Sequence, residues 1–132
     1  MESHGQTDIP SVPRTHRRMH EVVICEALLG QLATLAEEHG WTRLQRVRVR
    51  LGLLCGVVPD ALEFAFSVLS VGTPAAGAEL VLESEPGHFA CAECGELELA
   101  SLDFACPQCG GPLQLRRAGR GLYLAGIDPI LP

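Results

Sequence analysis

The chain has 132 residues, enough for one compact domain or for one domain carrying a small metal-stapled module. Its hydrophobic share of 47% supports a modest core, and no apolar run is long enough to span a bilayer. The net charge is −6, and the ten basic residues are scattered arginines with no lysine, which argues against a general nucleic-acid grip.

Residues 1–18 hold Pro10, Pro13 and the basic cluster Arg14, Arg17 and Arg18, with almost nothing apolar to bury. That is the composition of a flexible extension. Its polar start lacks the apolar stretch of a secretory signal, so the expected setting is cytoplasmic, where thiols stay reduced. From Met19 the character changes. Residues 19–23 read as an opening strand, and Ile24, Leu28, Leu32 and Leu35 then recur at helical spacing up to a stop at Gly40. In residues 44–51, Val47, Val49 and Leu51 alternate with Arg46, Arg48 and Arg50, the period of a half-exposed strand with a solvated cationic face.

A loop over residues 52–56 leads to a second helix, with Pro59 in its first turn and Asp60 and Glu63 near its positive end. Leu62, Phe66 and Leu69 form its apolar stripe, and Gly72 with Pro74 ends it. Residues 78–85 alternate like a strand. After Gly119 and Gly121, Leu122-Tyr123-Leu124-Ala125 reads as a last strand returning to the main sheet.

Between these strands lie two matched cysteine pairs, Cys91-Ala-Glu-Cys94-Gly and Cys106-Pro-Gln-Cys109-Gly. Two residues between thiols let one tight turn aim both sulfurs at a point, and the following glycine permits the turn to close. Two such turns build a tetrahedral four-thiolate cage, so the pattern predicts one structural zinc on Cys91, Cys94, Cys106 and Cys109. Iron in a rubredoxin-like site uses the same turns, and the sequence leaves that open. Cys25 and Cys55 lie in apolar surroundings and read as small buried side chains. The expected class is α+β: two helices packed on a small mixed β-sheet, with an inserted four-cysteine zinc-ribbon module. The expected division is a flexible extension (1–18), an α/β body (19–86 plus 119–128) and the zinc module (87–118).

From Met19-His20-Glu21 onward the chain resembles the hydrogenase nickel-incorporation chaperones of the HypA/HybF family. The resemblance rests on that triplet, the 47–52 strand and the stretch Gly56-Val57-Val58-Pro59-Asp60-Ala61-Leu62-Glu63-Phe64-Ala65-Phe66. It continues through Gly77-Ala78-Glu79-Leu80 and the two cysteine knuckles, covering residues 19–128. It implies a metallochaperone, not an enzyme. Nickel would be held by the His20 imidazole, the Met19 amine and the Glu21 backbone amide, and zinc by the four cysteines. The implied partners are a nickel-handling maturation GTPase and the large subunit of a nickel–iron hydrogenase, with urease maturation proteins in some organisms, and no nucleic acid or membrane. In that family the triplet opens the chain, whereas 18 residues precede it here. Translation from Met19, removal of the extension, or other ligands such as His16 and His4 are the three readings. The absence of a folding signature in the extension favours the first. A competing class is a zinc-ribbon adaptor that contacts a protein or nucleic acid without handling nickel. For an enzyme, the sequence offers neither a phosphate loop nor a nucleophile elbow.

Overall fold

The computed structural model describes residues 17–102 and 104–131. The flexible extension expected over residues 1–18, with His4 and His16, falls almost wholly outside the described residues. The first element is helix α1, Arg17–His39. Glu21, Ile24, Cys25, Leu28, Leu29, Leu32 and Ala36 are buried along it, a spacing of three and four that lays one stripe against the rest of the body. Residues 19–23, expected as a strand, are the first turns of this helix. Val22, Val23 and Ile24 are β-branched and locally favour strand, but burial of Ile24 and Cys25 on the helical stripe prevails over a propensity worth only tenths of a kcal/mol per residue. The helix stops at Gly40 as expected. Gly40 has φ 73°, its N–H meets the Glu37 carbonyl at 3.3 Å, and the Trp41 N–H reaches back to the Ala36 carbonyl at 2.8 Å. These two bonds satisfy carbonyls that the helix end would otherwise leave bare.

Strand β1 (Leu44–Gly52) is the centre of a three-stranded mixed sheet. Helix α2 (Pro59–Leu69) carries the chain across to β2 (Glu79–Glu85), which runs parallel to β1. A parallel pair needs a crossover of this kind. Strand β6 (Leu122–Pro129) returns antiparallel on the other side of β1, with Val47 opposite Ile127 and Leu51 opposite Leu122. Val47, Val49 and Leu51 point into the cluster formed with Ile24, Leu28, Leu32, Leu62 and Phe66. On α2 the buried residues are Leu62, Ala65 and Phe66, with Leu69 only partly covered.

The arginine face of β1 is outward, as expected, but Arg46 and Arg50 on it are paired, whereas the Arg48 Nε is buried without a hydrogen-bond partner among the described residues. Arg46 donates to Glu79 at 3.1 Å and to Asp128 at 3.2 Å, and Arg50 donates to Glu83 at 3.3 Å. Each pair joins β1 to a neighbouring strand. Exposed pairs of this type contribute little to stability, and here they favour the native register.

The remaining strands, β3 (Gly87–Cys91), β4 (Gly95–Leu99) and β5 (Leu113–Arg117), form a second antiparallel sheet in the order β4-β3-β5. A narrow seam joins it to the body. Gly52 donates to the Gly121 carbonyl and Leu54 to the Gly119 carbonyl, both at 2.8 Å. The approach is so close that a Cβ on Gly52 would lie 2.6 Å from the Gly119 carbonyl carbon. Leu53 crosses the seam and packs against the small cluster under the second sheet, close to Gly87. No described helix is long and apolar enough to cross a membrane.

Candidate metal centre

The four cysteines come from two turns built alike. Cys91 ends β3 and pairs with Gly95 at the start of β4, so the first knuckle is the β3–β4 hairpin turn. Gly95 has φ 88°, a left-handed conformation that a side chain disfavours. In the second knuckle the Gly110 N–H meets the Cys106 carbonyl at 2.8 Å, with Gly110 at φ 75°. The Cys106 N–H is held by the Gly111 carbonyl at 2.7 Å, and Ala105 bridges Pro112. Both glycines thus do what the spacing required of them.

The sulfurs of Cys91, Cys94, Cys106 and Cys109 all lie within 4.8 Å of one another, and Cys91 and Cys109 approach to 3.5 Å. Zinc–sulfur bonds of about 2.3 Å in a tetrahedron set sulfurs roughly 3.8 Å apart, so the cluster is close to the size that such an ion needs. Cys91 and Cys106 are buried beneath the turns, and Cys94 and Cys109 face outward. Phe89 and Leu113 close the floor of the cluster, and Phe104 meets Phe89 edge-on at 6.1 Å between ring centres.

The thiols are electrostatically unequal. The backbone N–H groups of Cys109 and then Gln108 point at the Cys106 sulfur and lower it to about 7. Hydrogen bonding with the Cys106 and Cys109 thiols pushes Cys94 up to about 12. A cluster that shares protons in this way offers one ready thiolate and partners that a divalent cation can deprotonate. Four soft donors with no carboxylate or water position fit zinc in a closed structural site, or iron with the same geometry. Among the described residues this is the only group of three or more side chains able to hold a metal.

The other predicted constellation lies at the start of α1. His20 is half-buried, with 16% of its side chain exposed, instead of free on a chain end. Glu21 is almost fully covered, and its carboxylate accepts the Val58 N–H at 3.0 Å. The same oxygen lies 3.8 Å from His20 Nδ1. Met19 is on the same helical turn. Sequence reasoning gave Glu21 only its backbone. A buried acid inside an apolar stripe was the signal for a side-chain role. An apolar groove of about 530 Å³ opens beside Glu21, lined by Val22, Val58, Ala61, Phe64 and Val68 among others.

A family model described as hydrogenase/urease nickel incorporation, metallochaperone, hypA matches residues 19–128. The chain belongs to the HypA family. It is therefore a nickel-incorporation metallochaperone, with nickel as cargo and a cysteine cluster suited to zinc. The hydrogenase maturation factor HypA of Paracoccus denitrificans is 36% identical over 113 residues, 85% of this chain and 100% of the relative. The corresponding factor of Chloroflexus aurantiacus (strain J-10-fl) is 38% identical over 112 residues, 83% of this chain and 98% of the relative. The solution structure of the Ni metallochaperone HypA from Helicobacter pylori has a TM-score of 0.57 at 17% identity, covering 85% of this chain and 98% of that one. This last likeness is one of fold, and it supports the α+β class with its cysteine-bearing sheet.

Proposed function

We propose that this chain binds nickel at the amino end of α1 and hands it to the large subunit of a nickel–iron hydrogenase during maturation, working in the cytoplasm. A nickel-handling GTPase is the expected partner, and urease maturation proteins are a further destination. The observation that carries this reading is the family match over residues 19–128, which begins at Met19-His20-Glu21 and includes all four clustered cysteines. In this reading residues 19–86 with 119–128 form the nickel-binding body. Residues 87–118 form a zinc module held by Cys91, Cys94, Cys106 and Cys109. The task is transfer, not catalysis.

The two metals ask for different sites. Zinc in a closed thiolate cage has no open position and organises structure. Cargo must leave again, and nickel(II) accepts a planar set from an amine, an amide nitrogen and an imidazole within consecutive residues. In a chain opening at Met19 these would be the Met19 amine, the Glu21 backbone amide and the His20 ring. The first four N–H groups of a helix have no intrahelical acceptor. With α1 beginning at Arg17, the Glu21 N–H faces a carbonyl four residues back, whereas a chain opening at Met19 leaves that nitrogen free and adds an amine.

Calorimetry on chains beginning at Met1 and at Met19 tests this. The shorter chain should bind nickel more tightly and with a more planar spectrum, and His20→Ala should abolish specific binding in it while zinc content stays at one per chain. Equal nickel affinity for His20→Ala and the parent would remove His20 from the site. Binding by the longer chain that disappears when His16 or His4 is replaced would move the site into the extension.

A further inference from the structure

Helix α2 begins without a cap of its own. Val58 stands at the N-cap position with φ −89° and ψ 112°, and its apolar side chain accepts nothing. Pro59 follows in the first turn, and the third helical position is Ala61, where a glutamate or glutamine would ordinarily reach back to the N-cap N–H. That N–H is taken instead by Glu21, 37 residues earlier in sequence and on the other helix, at 3.0 Å. The carboxylate has 3% of its side chain exposed. The groove that it borders is apolar, lined by Val22, Val58, Ala61 and Ala65 among others. A charge so covered is costly unless it is hydrogen-bonded, and the positive end of α2 is the favourable place for it.

The same oxygen lies 3.8 Å from His20 Nδ1, beyond hydrogen-bonding distance, so the ring stands beside the carboxylate that meets α2. We propose that the Glu21 carboxylate is a positioning group that caps α2 from α1 and so holds His20 in place for nickel, without itself ligating the ion. The proposal rests on the reading of His20 as the nickel-binding imidazole. It separates the two parts of one residue: the Glu21 backbone serves the metal, and its side chain serves the helix. Through this bond the turn that carries His20 is tied to the body, which lowers the ordering required when nickel arrives.

Three variants of the chain beginning at Met19 test it, each read by nickel calorimetry, by hydrogen exchange at the α2 amino end and by zinc content. Glu21→Gln keeps an acceptor oxygen and removes the charge, so nickel affinity should stay within about twofold of the parent. Glu21→Ala removes the acceptor and should weaken nickel about tenfold while amides at the start of α2 exchange faster. Val58→Pro deletes the donor and leaves Glu21 intact, so it should reproduce the loss even where Glu21→Ala fails to fold. The proposal is overturned if Glu21→Gln loses nickel as fully as Glu21→Ala while α2 keeps its protection, because the charge is then a ligand. It is equally overturned if Glu21→Ala and Val58→Pro bind nickel as the parent does. A His20→Ala chain with unchanged nickel affinity would withdraw the His20 reading and the positioning role together. That outcome is distinct, because the protection of α2 by Glu21 would remain.

Discussion

The helix-backed sheet gathers fourteen buried apolar side chains into one cluster, whereas the cysteine sheet gathers four, and two of those are Cys91 and Cys106. The body has a core of its own, in which each fully covered leucine or valine removes enough apolar surface to contribute about 1.5–3 kcal/mol. Among the described residues, the other buried apolar side chains under the smaller sheet are Phe89 and Leu113, with Leu53 lent from across the seam. So small a core does not ordinarily hold a fold without a staple. The difference teaches that a metal in the cysteine cage would take the place of a core, whereas the helix-backed sheet has one of its own.

The comparison is broken most severely at the sulfurs. Cys94→Ala should release all of the zinc and unfold residues 89–115, while the body keeps its helices. Metal analysis with hydrogen exchange reads both at once. Retention of a full zinc equivalent would remove Cys94 from the cage, and collapse of the body together with the sheet would show that the two regions are one folding unit.

A cut in the larger core should act in the opposite sense. Leu28→Ala opens a cavity in the body and should cost about 2–5 kcal/mol without releasing zinc. Thermal unfolding followed by helix signal, with a zinc-release dye alongside, checks it. Simultaneous zinc loss at the lowered midpoint would tie the two regions more closely than their separate clusters indicate.

The smallest effect lies in a single thiol of the body. Burial, with a lesser contribution from the Glu26 charge, pushes Cys25 up to about 11 from an ordinary 9.0. Between those values the unfolded chain gives up the proton that the folded chain retains. Stability associated with Cys25 is therefore complete below pH 9.0 and declines as pH rises toward 11. Denaturant melts across that interval should slope downward, and Cys25→Ala should flatten the slope. An equal slope in the variant would assign it to other groups.

Much of this was legible from local pattern. The knuckles could be read because two residues between thiols and a trailing glycine leave few other geometries, and Gly95 and Gly110 adopt the positive φ that the turns need. Helix α2 was signalled by Pro59 and its apolar stripe, and β1 by its alternation of valine and arginine. The start of α1 was misread because Val22 and Val23 favour strand locally, while the deciding contacts come from elements later in the chain. Glu21 was missed for the same reason: its partner is a backbone N–H on another helix, and no spacing rule links positions 21 and 58. The pairing of Arg46 and Arg50 likewise depended on which strands would lie beside β1.

Strand β6 follows the cysteine sheet in the chain yet completes the sheet of the body along β1. During synthesis the body therefore waits with one side of β1 unpaired until both knuckles have been made. An unfolded tether of roughly 36 residues between β2 and β6 makes that last pairing a search, at an entropic cost that grows with the logarithm of its length. A metal-loaded hairpin pair brings the two ends of the tether together at the seam and shortens the search. The order of the chain thus places closure of the body's sheet after both cysteine turns, although the two sheets share no strand.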